Sequence, residues 1–120
     1  MKQYKQLNFI SKALFQKKHP MAKKKSKPDV ATSFELAGSK WYVNYVVHMD
    51  DMGKCDPEKQ IISIRMDMNK QTTEQTFYHE LVHAIMFTMG KLTHDEEFVD
   101  TFGAFLHQYH ITKEYHEAEA

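Results

Sequence analysis

The chain has 120 residues and a mass of 14.2 kDa, enough for one hydrophobic core and too few for two. Hydrophobic residues make up 42% and charged residues 27%, ordinary globular usage that excludes a wholly disordered or fibrous chain. Formal net charge is zero, yet residues 1 to 30 carry nine lysines against Asp29 alone, so a net +8 at the start faces −8 over the rest.

The opening 30 residues include KKHPMAKKKSKP, with two prolines and no apolar periodicity, and read as a flexible basic arm. Residues 31 to 112 are expected to form the folded domain and 113 to 120 a polar tail. Through residues 1 to 28 the arm could make weak contacts with nucleic acid, the bland alternative being a solvated tail. Leu7, Ile10, Leu14 and Phe15 allow a short amphipathic helix between Tyr4 and Phe15, and Met21 offers an alternative start. Lysine and glutamine interrupt the first apolar residues, so there is no signal-like h-region, and no apolar run approaches the roughly 18 residues of a membrane span. A cytoplasmic location without membrane partners is the expectation. The single Cys55 excludes an internal disulfide and a multi-thiolate zinc site, leaving histidine and carboxylate as metal ligands.

From Trp41 to Met49 the run WYVNYVVHM is aromatic and β-branched, with Trp41, Val43, Tyr45, Val47 and Met49 on one face at period two, which predicts a strand. DDMGKCDPEK follows with turn chemistry, and QIISIRMDM then predicts a second strand with Ile62, Ile64 and Met66 alternating. An antiparallel hairpin with a long loop is the simplest pairing of the two.

After Asn69 the period changes to helical. Thr72 or Thr73 is the expected N-cap, and Phe77, Leu81, Val82, Ile85 and Met89 mark one face before Gly90 ends the helix. A last helix opens near Thr93 or Asp95 and is expected to send Phe98, Val99, Phe102, Phe105, Leu106 and Tyr109 to the core. The fold class is therefore α+β, with a β-hairpin packed on two helices.

Within the first of these helices stands His79-Glu80-Leu81-Val82-His83, an HExxH sequence. Residues four apart on a helix share a face, so both imidazoles can converge on one tetrahedral cation, while Glu80 stands close enough to serve as a base without ligating. Composition alone gives about 0.04 chance occurrences of the pattern in a chain of this make-up. The competing bland reading is a pair of histidines on a helix flank, satisfied by water or carbonyls.

A catalytic zinc takes a third protein ligand and keeps a fourth position open. HDEEFVD supplies Asp95, Glu96, Glu97 and Asp100. On a helical wheel Asp95 reads as an N-cap, Glu97 points away, and Glu96 sits on a flank with Val99, Asp100 and Gly103. Glu96 is therefore the expected third metal ligand and Glu97 the alternative, while a capping box from Thr93 to Glu96 is the structural competitor. Asp100 could accept the free ring N–H of a ligating histidine, or it could be a solvated acid near a helix start.

On these residues the chain resembles the zincin metallopeptidases with a glutamate third ligand, the gluzincin pattern, and looks like short zincin-like proteins of bacteria and phages such as the minimal ImmA/IrrE and SprT-like peptidases. The resemblance runs from about Gly53 to Leu106, through Cys55-Asp56, Ile62, Ile64, TFYHELVHAI and EEFVDTFGAFL. It implies one Zn2+ held by His79, His83 and Glu96, with Glu80 as general base in hydrolysis of a peptide or protein substrate. The glutamate, small apolar residue and acid of the family's ligand helix fall on Glu96, Val99 and Asp100. Val99 and Gly103 depart from the alanines common in the larger families, and no substrate-binding motif is recognisable. Tyr78, His107, His110 and Tyr109 are candidates for stabilising an oxyanion. The alternative to a hydrolase is a catalytically silent zincin-like binding or regulatory module, nucleic-acid associated through the arm.

Overall fold

The computed structural model describes residues 28–116. The basic arm as far as residue 27, its amphipathic segment, Met21 and the last four residues of the tail lie outside the described residues. The described chain is an α+β domain, a four-stranded mixed sheet and two helices. The strands are β1 (Ser33–Leu36), β2 (Ser39–Val46), β3 (Gly53–Asp56) and β4 (Ile61–Arg65), and the helices are α1 (Lys70–Thr88) and α2 (Glu96–Thr112).

The sheet order is β1-β2-β4-β3. Strands β1 and β2 form a hairpin whose two turn residues, Ala37 and Gly38, both have positive φ, the twist that a two-residue hairpin turn requires. The expected pairing of the two long strands is corrected: β2 and β4 run parallel, with Val43 opposite Ile62 and Tyr45 opposite Ile64. The reason is β3, which lies in the segment expected to be only a turn. It pairs antiparallel with the outer side of β4, reversing the chain once more before β4 and leaving β4 parallel to β2. Between β3 and β4 the Asp56 carboxylate accepts hydrogen bonds from the backbone N–H groups of Glu58 and Lys59, so turn chemistry does operate, over fewer residues than expected.

The period-two reading of the inner face holds where the sheet meets α1. Trp41, Val43, Ile62 and Ile64 are buried with Phe77 and Ala84, and Phe34 stacks on Trp41 at 6.2 Å. Toward the end of the stripe Tyr45, Val47 and Met66 are exposed, beyond the cover of the helix.

Helix α1 is capped one turn earlier than expected, by Asn69, whose side chain accepts from the Thr72 N–H at 2.8 Å. It ends as expected at Gly90, where the N–H groups of Gly90 and Lys91 reach back to the carbonyls of Phe87 and Met86 in a Schellman arrangement. Asp95 caps α2, accepting from the Glu97 N–H.

The core face of α2 is the second correction. Phe98, Phe102, Phe105 and Tyr109 are exposed, and the buried residues are Val99, Gly103, Ala104 and His107. The two helices approach too closely for aromatic side chains between them: a β-carbon on Gly103 would lie 3.1 Å from both N and Cα of His79. Val99, Gly103 and Ala104 therefore face α1 together with His107, and the aromatic stripe turns outward.

One polar cluster is sealed between the helices. Glu74 is 1% exposed and receives hydrogen bonds from His107 Nε2 at 2.9 Å, Lys70 Nζ at 2.6 Å and the Asp29 N–H at 2.6 Å. Burial alone would raise the pKa of this carboxylate, but these donors outweigh it and hold the value below the ordinary range. Asp29 also accepts from His110 Nε2, which ties the start of the described chain to α2. No helix among the described residues is long and apolar enough to cross a membrane.

Candidate metal centre

The close packing of α1 on α2 sets the geometry of the site. His79 and His83 lie one turn apart on α1, ring centroids 5.0 Å apart, and face the first turn of α2. There Glu96 spans both rings: its Oε1 lies 3.3 Å from His79 Nε2 and its Oε2 lies 3.2 Å from His83 Nε2. One ligand atom from each of the three residues falls within 4.8 Å of the others, so they could hold a metal ion. Two imidazole nitrogens and a carboxylate oxygen are a donor set that suits zinc.

The donor set fits a cation on a second count. Asp100 Oδ1 lies 2.8 Å from His79 Nδ1, so that ring nitrogen donates, and in a neutral ring the lone pair is then on Nε2, the nitrogen that faces Glu96. Asp100 thus stands where it can orient a ligand rather than merely decorate the helix start. Glu97, the alternative third ligand, is not part of the cluster.

Glu80 enters the same pocket from the sheet side. It is largely buried, with Oε2 4.0 Å from His79 Nε2, and its pKa is pushed up to about 7 by burial, with the negative charges of Glu96 and Asp51 adding to the effect. It fits there because β3 carries a glycine: a β-carbon on Gly53 would fall 2.6 Å from Thr76 Cγ2 and 2.9 Å from Glu80 Cγ.

The pocket has a volume of about 420 Å³ and is lined by these residues together with Cys55, Phe87, Leu92 and His94. Cys55, expected to be a loop residue, lies in β3, and burial with the added charge of Glu80 and Asp56 pushes its thiol up to about 12. Burial also lowers the pKa of His83, favouring the neutral ring a metal ligand needs.

The four oxyanion candidates lie outside this pocket lining. His107 is sealed against Glu74, His110 pairs with Asp29, Tyr78 packs at a tilt against both of those rings, and Tyr109 faces outward on α2. What sequence reasoning missed is His94, whose Nδ1 lies 2.7 Å from His83 Nδ1. It stands in the HDEEFVD run, but a loop residue has no periodicity by which to place it.

No protein-family model, curated protein or solved structure matches the chain.

Proposed function

We propose that the protein is a zinc-dependent peptide-bond hydrolase, a small metallopeptidase of the gluzincin kind, with His79, His83 and Glu96 as ligands and Glu80 as general base. The observation that carries this reading is the convergence of two imidazole Nε2 atoms on the two oxygens of one carboxylate, with a second, buried carboxylate opening into the same pocket. A purely structural ion has no use for that second carboxylate.

A zinc ion supplies Lewis acidity at such a site, polarising a carbonyl and making water a nucleophile near neutral pH. Glu80 would accept the proton of the attacking water and return it to the leaving amine, a role open to a carboxylate that lines the same pocket as the three ligands. Asp100 keeps the His79 ring in register throughout. Strand β3 is the sheet edge beside the pocket, and no described strand pairs with its outer side. An extended peptide can add along that edge through main-chain hydrogen bonds, passing Gly53 and Cys55 on its way to Glu80.

The test uses the full chain loaded with zinc and a library of quenched fluorescent peptides. Turnover that disappears in Glu80→Gln while zinc stays bound supports the hydrolase. Equal turnover in the two proteins, or none in either, rejects it and leaves a metal-holding binding module.

A further inference from the structure

The loop between α1 and α2 determines how His83 presents itself to the site. His94 Nε2 lies 2.8 Å from the Lys91 carbonyl oxygen. A carbonyl only accepts, so this ring nitrogen carries a proton. In the neutral ring Nδ1 is then bare, and it lies 2.7 Å from His83 Nδ1. Two ring nitrogens at that separation share one proton, which must belong to His83. A neutral His83 protonated on Nδ1 has its lone pair on Nε2, the atom 3.2 Å from Glu96 Oε2.

We infer that His94 is a positioning residue that locks His83 in the tautomer required of a metal ligand. The inference rests on the reading of His83 as a ligand. It extends that reading by giving His83 a partner equivalent to Asp100 on His79, built from a neutral ring and a backbone carbonyl instead of a carboxylate. The surroundings are made for it. The Schellman turn at Gly90 delivers the Lys91 carbonyl, Phe87 packs on the His94 ring with centroids 4.4 Å apart, and the rings of His83 and His94 lie near-parallel with centroids 4.9 Å apart. Both nitrogens of His94 are engaged in this relay, so His94 is not itself a fourth ligand.

Two readouts on the full chain test it. The first is nitrogen-resolved NMR of the imidazoles in metal-free protein, at a pH well above the ordinary histidine value of about 6.5. His83 is expected to carry its proton on Nδ1 in the native chain and to lose that preference in His94→Leu. The second is zinc affinity by competition with a chelating dye. His94→Leu should weaken binding about 10- to 100-fold. His94→Asn, which keeps an acceptor oxygen near the position of Nδ1, should recover most of the loss. A native His83 protonated on Nε2, or undiminished affinity in His94→Leu, overturns the inference. Native protein that binds no zinc but shows the Nδ1 proton, lost in His94→Leu, upholds the relay while rejecting the metal reading, so the two failures are distinguishable.

Discussion

Gly53 on β3 and Glu80 on α1 approach so closely that a single added methyl group would overlap the glutamate side chain, at 2.9 Å from its Cγ. The sheet edge and the candidate base therefore share one small volume, and the glycine is there for room rather than for backbone freedom. A side chain at this position would push the carboxylate away from His79 or lift β3 off the helix.

Gly53→Ala is accordingly expected to cost roughly 1–3 kcal/mol in stability, the range for overpacking a tight contact. Urea denaturation measures that loss. Peptide turnover should fall further than the loss of folded protein explains, with zinc affinity nearly unchanged because the three ligands stand on the helices.

Gly103→Val should do the reverse. Its added atoms would meet the His79 backbone, where even a β-carbon lies 3.1 Å from N and Cα, and would separate α2 from α1. Glu96 rides on α2, so zinc affinity should drop at least tenfold, as for a disturbed ligand shell. Equilibrium zinc titration of the variant checks this.

The rotated face of α2 yields a paired prediction. Val99 is fully buried and Phe105 is 60% exposed. Val99→Ala should cost roughly 1–3 kcal/mol, whereas Phe105→Gln, although it removes a far larger apolar group, should change stability by about 0.5 kcal/mol or less. The order of these two values, read from denaturation midpoints, would reverse if the aromatic stripe faced the core.

Glu74 governs the acid limit of the fold. Its value in the folded protein lies below the ordinary glutamate value, held there against burial by His107, Lys70 and the Asp29 N–H. A carboxylate depressed in this way contributes stability above its unfolded value and loses it as pH falls through the folded one. Glu74→Ala should therefore destabilise by roughly 3–5 kcal/mol at neutral pH, the cost of breaking a buried pair. The gap to the native chain should narrow as the pH drops below the ordinary glutamate value of about 4.3. Denaturation curves at neutral and strongly acidic pH measure both ends.

The parts of this molecule legible in the sequence are those governed by local periodicity. The inner faces of β2 and β4, the course of α1, its stop at Gly90 and the shared face of His79 and His83 all follow from spacings of two, three or four residues. Glu96 was accessible for the same reason, because the wheel placed it beside Val99, Asp100 and Gly103. What escaped depends on how elements meet. Strand β3 is four residues long and includes a glycine and an acid, so turn chemistry masks it. The parallel pairing of β2 with β4 follows from β3 and inherits the error. On α2 two stripes compete, and the larger hydrophobic one turns outward because the helices come too close at Gly103 for a large side chain there. His94 and Glu74 have roles defined wholly by partners distant in the chain or in a neighbouring loop.

The measurement that bears most directly on the central claim is zinc content and affinity of the purified full chain beside four variants: His79→Ala, His83→Ala, Glu96→Ala and Glu80→Gln. One zinc ion per chain is expected in the native protein and in Glu80→Gln, and strongly weakened binding in the other three. A native chain without stoichiometric zinc, or undiminished binding in Glu96→Ala, would contradict the account.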